Sequence, residues 1–201
     1  MIKVIVADDE RLIRDALYTM LGVEKDIEVI GVAADGLEAV ALAQRAQPTV
    51  AVLDLQMPRL DGISAAAEIA RLRPPVATVI LTSHTSPGRL RAAIDAGVLG
   101  YLPKDTPVST LAQAIRKAAQ GTRYIDPDLA TELIAVGDNP LGRREINVLR
   151  LSLNGDPVEQ IAASAGISGS SARNYLSSAM RKLGAPNRHA AAQLALARGW
   201  L

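Results

Sequence analysis

The chain has 201 residues, 49% of them hydrophobic, with no cysteine, no phenylalanine, one tryptophan and a net charge of +1. The lack of cysteine excludes disulfides and thiolate metal sites and fits a reducing cytosol, and no window approaches the ~20 apolar residues of a membrane span. The charge is uneven: residues 1–121 hold thirteen basic and fourteen acidic residues, 122–140 one and four, and 141–201 eight and three, so a basic tail suited to a polyanion follows an acidic joint.

MIKVIVADDE is apolar for too few residues to be a signal peptide; it reads as a strand over 2–7 ending in Asp8-Asp9. A helix is expected over 10–22, with Leu12, Ile13, Ala16, Leu17, Met20 and Leu21 at helical spacing. IEVIGVA (27–33) is a strand, and Asp35 with Glu38 forms a capping-box-like start for a helix at 36–46. Val50 to Leu53 is a short, fully buried strand that ends on an acid, Asp54. Pro58 and Gly62 break the chain before a helix at about 62–73. The strand VATVILT (76–82), a helix at 87–97, the strand LGYL (99–102) and a helix at 107–120 follow. Proline is expected at the first helical position in Ser86-Pro87, Thr106-Pro107, Asp126-Pro127 and Asp156-Pro157. The alternation predicts an α/β fold, a doubly wound five-stranded parallel sheet of flavodoxin-like type with helices on both faces.

Gly121-Thr122-Arg123 breaks that pattern, a short helix is expected at about 127–136, and Gly137-Asp138-Asn139-Pro140 closes a linker. From 141 onward the pattern is all helical, with helices at 143–153, 157–165, 168–183 and 187–198. The tight turn Ala165-Gly166-Ile167-Ser168 makes a helix-turn-helix of the middle pair, with a generic helical bundle as the alternative. The predicted division is 1–121, 122–140 and 141–201.

In a parallel sheet with helical crossovers, the strand tips share one edge. Asp8, Asp9 and Asp54 then converge, with Thr82 and Lys104 beside them. Three carboxylates repel one another, and a hard cation, Mg²⁺, resolves the repulsion while keeping positions open for phosphate oxygens. Lys104 and the Thr82 hydroxyl offer donors to a phosphoryl group, and Asp54 can act as a nucleophile that forms an acyl phosphate. Taken singly, Asp8 or Asp9 reads as a helix cap, Lys104 as a solvated loop lysine and Thr82 as an ordinary strand end. Their joint placement argues against coincidence.

The segments VADD (6–9), LDLQMPRLDG (53–62), ILTSH (80–84) and GYLPKD (100–105) resemble the receiver domain of two-component response regulators over residues 2–120. The resemblance implies a phosphoryl group accepted by Asp54 from a sensor histidine kinase. It implies Mg²⁺ held by Asp9, the Asp54 side chain and the Gln56 carbonyl, with Asp8 acting through water. Thr82 and Tyr101 match the residues that shift on phosphorylation, and Lys104 matches the phosphate partner. Residues 141–201 resemble the LuxR-type helix-turn-helix of the NarL/FixJ family, through LGRREINVLRL (141–151), VEQIAASAGIS (158–168), SSARNYLSSAMRKLGAPNR (170–188) and the closing ALARGWL. This C-terminal pattern is most similar to the subgroup around DesR and LiaR. Gly142, Ser171-Ala172 and Tyr175 stand where the family more often has Thr, Thr-Val and His, so a base preference does not carry over.

In the helix 168–183, Ala172, Leu176, Ala179, Met180 and Leu183 should pack inward, leaving Ser170, Arg173, Asn174, Ser177 and Arg181 facing out. Arg173 and Asn174 lie where a recognition helix meets base edges, while Arg181, Lys182 and Arg188 come later and suit phosphate. One helix-turn-helix makes few contacts, so a monomer that dimerises on phosphorylation to bind paired half-sites is expected. The resemblance implies pairing through helices 10–22 and 107–120, with Arg14, Tyr18, Gln113, Arg116 and Lys117 among the contacts. The alternatives are a hydrolase on a similar sheet, of the haloacid dehalogenase type, and a binding module with a silent receiver. The first wants its nucleophile on the first strand with a second Asp two residues on, where Gln56 stands here. An NTPase loop, GxxxxGK[ST], is missing. The expectation is a cytoplasmic regulator without enzymatic activity beyond its own Mg²⁺-dependent phosphotransfer and dephosphorylation.

Overall fold

The structure, a computed structural model, describes residues 1–83, 85–137 and 139–201. His84 of the ILTSH stretch and Asp138 of the predicted linker lie outside the described residues. The chain divides into two compact units, one built chiefly from residues 1–131 and one from 132–201.

In the first unit, β1 (Ile2–Ala7), β2 (Ile27–Ala33), β3 (Val50–Asp54), β4 (Ala77–Thr82), β5 (Gly100–Pro103) and β6 (Tyr124–Ile125) form one parallel sheet in the order β2-β1-β3-β4-β5-β6. The doubly wound parallel sheet is as expected, with a sixth strand beyond the predicted five. Two residues are too few to show a period-two pattern, so β6 was hidden in the stretch read as linker.

Between the strands run α1 (Arg11–Leu21), α2 (Gly36–Ala46), α3 (Gly62–Ile69), α4 (Pro87–Asp95) and α5 (Val108–Ala119). Side chains alternate across the sheet. Val4, Val6, Val50, Val52, Val79 and Leu81 meet Leu17 and Leu21 of α1 and Leu111 and Ile115 of α5. Ile5, Ala51, Leu53 and Ile80, on the opposite face, are also buried, as an all-parallel sheet covered on both sides requires.

Several expected boundaries and faces move. Leu12 and Met20 are exposed, while Leu17 and Leu21 are buried. The apolar stripe of α1 comprises two neighbouring i, i+4 columns, and the column Ile13–Leu17–Leu21 is the one that packs on the core. Helix α3 stops at Ile69 rather than 73; Pro74-Pro75 follow, and a residue before proline is pushed out of the helical region. Pro87 and Pro127 open their helices, but Pro107 and Pro157 stand one position earlier as extended N-caps. The Asp35 side chain accepts from Glu38 N at 3.0 Å, while the Glu38 carboxylate reaches back to Ala34 N at 2.7 Å, one residue before the expected partner.

Helix α6 (Pro127–Val136) leads to the second unit, with α7 (Arg143–Ser152), α8 (Val158–Ala165), α9 (Gly169–Leu183) and α10 (Arg188–Ala197). Its core gathers Val148, Leu149, Ile161, Leu176, Ala179, Leu183, Ala192 and Trp200. The turn between α8 and α9 is made by Gly166 in the left-handed region, φ 64°, and by Ser168, whose hydroxyl accepts from Ser171 N at 3.1 Å.

Candidate functional site

The sheet order reverses direction at β1 and β3, and in such sheets the crevice beyond the carboxyl ends at that point is where ligands bind. Asp8 directly follows β1 and Asp54 is the last residue of β3. One carboxylate oxygen each from Asp8, Asp9 and Asp54 lie within 4.8 Å of one another. Asp8 and Asp54 are buried and Asp9 is exposed. Lys104, two positions along the chain from Leu102 of β5, places Nζ 2.8 Å from Asp8 Oδ2, 3.1 Å from Asp54 Oδ1 and 3.5 Å from Glu10 Oε1. The Lys104 amide donates to the Thr82 carbonyl at 2.9 Å, tying this lysine to the tip of β4.

Burial pushes the Asp54 carboxyl above its ordinary range; Lys104 opposes the shift and the neighbouring Asp8 adds to it. Burial acts to lower the Lys104 ammonium, yet its hydrogen bonds to Asp8 and Asp54 outweigh that and raise it. With one ammonium against three clustered carboxylates, the donor set is hard oxygen with negative charge in excess, which fits Mg²⁺.

The β3–α3 loop shapes the crevice. Gln56 N donates to Asp54 Oδ2 at 3.2 Å. A Cβ on Gly62 would lie 2.1 Å from the Asp54 carbonyl oxygen, so only glycine lets α3 start this close to the acid. Arg59 ion-pairs with Asp35 at the start of α2, fastening the loop to the neighbouring element. Asp9, Glu10, Asp54, Gln56, Ser83 and Lys104 line a cavity of about 250 Å³. Thr82 is buried at the end of β4 and lines a neighbouring depression of about 660 Å³ that shares Ser83 and Lys104. Tyr101 is buried within β5 and lines neither of these two. Sequence reasoning places Ser83 with Thr82 at the fourth strand tip but assigns neither it nor Glu10 a role; their signal was adjacency to Thr82 and Asp9.

On the surface expected to dimerise, Tyr18 and Gln113 are exposed. Arg14 donates to the Asp8 carbonyl at 2.6 Å, and Arg116 bonds Asp26 and Glu24 at 2.6 to 2.8 Å. That guanidinium holds the Asp26 carboxyl down to about 2. Lys117 lies over the Tyr124 ring, 4.8 Å from its centroid.

In the second unit, Ser170, Arg173, Asn174, Ser177 and Arg181 all face outward from α9. Ala172, Leu176, Ala179 and Leu183 are buried, whereas Met180 is only partly so. Two of the expected DNA contacts are held by acids. Arg173 Nη2 donates to Glu159 Oε1 at 2.5 Å. Lys182 Nζ bonds the buried Glu145 Oε2 at 2.7 Å, and Gly142 N donates to the same oxygen at 2.6 Å. Burial works against the charged Glu145, but Lys182, the Gly142 amide and Ser178 together lower its carboxyl. Gly142 has no side chain to cap α7, so Glu145 supplies the capping contact. Arg188 is half-buried at the first position of α10. Arg143 and Arg144, exposed at the start of α7, join Asn174, Tyr175, Ser178 and Lys182 around a groove of about 490 Å³. Sequence reasoning did not single out these two, although two arginines at a helix N-terminus was the available signal.

An acid–lysine crevice on a doubly wound sheet, followed by a helix-turn-helix, defines a response regulator, and the chain belongs to that family. Residues 4–116 match the family model of the response regulator receiver domain, and residues 139–195 that of the bacterial regulatory proteins of the luxR family. The chain is 36% identical over 201 residues to the transcriptional regulatory protein YvfU of Bacillus subtilis, covering 100% of both. It is 37% identical over 200 residues to DesR of the same organism, covering 100% of this chain and 99% of that one. Among solved structures, it is similar to RcsB from Salmonella enterica serovar Typhimurium bound to a promoter in the presence of the phosphomimetic BeF3⁻. That likeness has a TM-score of 0.73 and 27% identity over 98% of each chain. The protein is a DNA-binding transcriptional response regulator of the LuxR type. Among the described residues, no helix is long and apolar enough to cross a membrane.

Proposed function

We propose that a sensor histidine kinase phosphorylates Asp54, and that the modified protein dimerises to bind paired half-sites in double-stranded DNA in the cytoplasm. The carrying observation is the placement of Lys104 against both Asp8 and Asp54 at the sheet edge. An Asp54 carboxylate oxygen attacks phosphorus, the phosphorus–nitrogen bond of the phosphohistidine breaks, and an acyl phosphate forms. Asp8, Asp9, Asp54 and the Gln56 carbonyl would hold Mg²⁺, which supplies positive charge to the transferring phosphoryl oxygens. Lys104 supplies a second cation to the same oxygens. Thr82 and Tyr101 respond to the new group. The protein acts on no other substrate, its chemistry being its own phosphotransfer and dephosphorylation.

The receiver spans 1–121, the linker 122–140, whose β6 (Tyr124–Ile125) extends the receiver's sheet, and the DNA-binding domain 141–201. Arg173 and Asn174 read bases, with Ser170 and Ser177 beside them; Arg181, Lys182 and Arg188 contact phosphate. Acetyl phosphate with Mg²⁺, followed by intact-mass measurement, should add one phosphate to the wild type. Equal addition to Asp54→Ala, or undiminished addition in EDTA, contradicts the assignment. Light scattering with and without beryllofluoride should show mass doubling; an unchanged mass at micromolar concentration counts against the dimer.

A further inference from the structure

We propose that Glu159 is a specificity-determining residue, which holds Arg173 back from any duplex that fails to offer it a guanine. The inference rests on the reading of Arg173 as a base-contacting residue and adds a competitor to it.

Arg173 is the fifth residue of α9, in the half that faces base edges when a recognition helix docks. Glu159 is the second residue of α8. Their contact joins the two helices of the helix-turn-helix across 14 positions of chain. Both side chains are open to solvent, 61% and 69% exposed, so the pair contributes little to folding. Residues 141–201 contain only three acids, Glu145, Asp156 and Glu159. Glu145 is buried on Lys182, whereas Glu159 stands on the arginine of the reading face.

The physical consequence follows from what each duplex offers the guanidinium. Guanine presents O6 and N7 together, a bidentate acceptor that outcompetes a single carboxylate oxygen. A backbone phosphate can also take a guanidinium bidentately, but the fifth position of α9 faces base edges, and a duplex without a guanine there offers Arg173 no fork at that place. On random DNA, Arg173 therefore stays paired, the pair carries no net charge, and no counterion is released on its behalf. The unmasked alternative, an arginine free to grip any phosphate, would strengthen random and selected sites alike. Glu159 thus lowers affinity where there is nothing to read.

The test uses the 201-residue chain treated with beryllofluoride and magnesium, and two duplexes: one enriched by the wild type from a randomised library, and one of random sequence. Glu159→Gln should tighten the random duplex about three- to ten-fold near physiological salt and steepen its salt slope by about one. The gain on the selected duplex should be smaller, so the specificity ratio falls. In an Arg173→Ala background the Glu159→Gln gain should vanish. Random-duplex affinity and slope unchanged by Glu159→Gln would overturn the proposal. So would loss of selected-duplex affinity alone, which marks a positioning brace, or a gain that persists without Arg173. Should Arg173→Ala by itself retain the wild-type ratio, the base-reading role of Arg173 fails instead. Circular dichroism checks that the variants fold, which the exposure of both side chains favours.

Discussion

Replacing Lys104 by methionine keeps the side chain's length and removes its charge. The ammonium lies 2.8 Å from Asp8 and 3.1 Å from Asp54, and those residues are 1% and 4% exposed. Removing one partner of a buried ion pair costs about 3–5 kcal/mol. The lysine side chain is 11% exposed, and the crevice opens at Asp9, so the lower end, ~3 kcal/mol, applies. At about 3–5 °C per kcal/mol, the receiver transition in EDTA should fall by roughly 10 °C. Magnesium should restore most of that loss, because a divalent cation among Asp8, Asp9 and Asp54 replaces the missing positive charge. Acid should act in the same direction. Burial holds Asp54 above the ordinary carboxylate range, so the folded protein binds this proton more tightly than the unfolded chain does. The stability from this group is present below its unfolded value and lost as pH rises through the folded one. Without Lys104, which lowers it, the Asp54 carboxyl rises further, so the gap between variant and wild type should narrow between a neutral and a mildly acidic pH. Calorimetry at both pH values, with EDTA or magnesium, measures each quantity. A variant that melts within about 2 °C of wild type in EDTA, or gains nothing from magnesium, refutes the reasoning.

Gly62→Ala puts a methyl against the Asp54 carbonyl; a loss of about 2–3 kcal/mol in urea unfolding is expected, with slower phosphate uptake, and unchanged stability would show that α3 can move aside. Lys182→Met leaves the buried Glu145 without its ammonium, and because Lys182 is 38% exposed the cost should be ~1–2 kcal/mol. Glu145 is held below its ordinary value of 4.5, so its contribution is present above that value and lost as pH falls through the folded one; variant and wild type should converge in acid, as urea titrations across pH will show. Arg173→Ala should relax base preference at one position of each half-site in selected duplexes, whereas Arg181→Ala should weaken all sequences alike and reduce the salt slope by about one. Lys182→Met is the poorer probe of phosphate contact because it perturbs folding as well.

The acidic crevice was legible because its residues terminate strands: a run of buried apolar residues that ends on Asp54 states both the strand and the position of its tip. The outward face of α9 was legible for a similar reason, since a helix 15 residues long displays its period several times. What escaped is what periodicity does not encode. Leu12 and Leu17 are equally apolar, and only the docking angle of α1 decides which column packs. The bonds of Lys182 to Glu145 and of Arg116 to Asp26 span 37 and 90 positions, and each gives a residue assigned to an external partner a second partner within its own unit.

The two residues of β6 have a mechanical consequence. Tyr124 N donates to the Leu99 carbonyl at 2.7 Å, and Asp126 N to the Tyr101 carbonyl at 3.0 Å. The backbone of the buried tyrosine thus grips the chain that leads away from the receiver. A displacement of β5 is delivered to that chain through amide-to-carbonyl links, like the pull of a zip fastener, alongside the packing of Tyr124 on the core and under Lys117. Substitution at Tyr124 or Ile125 should leave the backbone part of this traction in place as long as the amides remain. Proline at 124, which lacks the N–H, should unfasten it, and a chain cut after Gly121 would leave β5 as a bare edge open to pairing with another molecule.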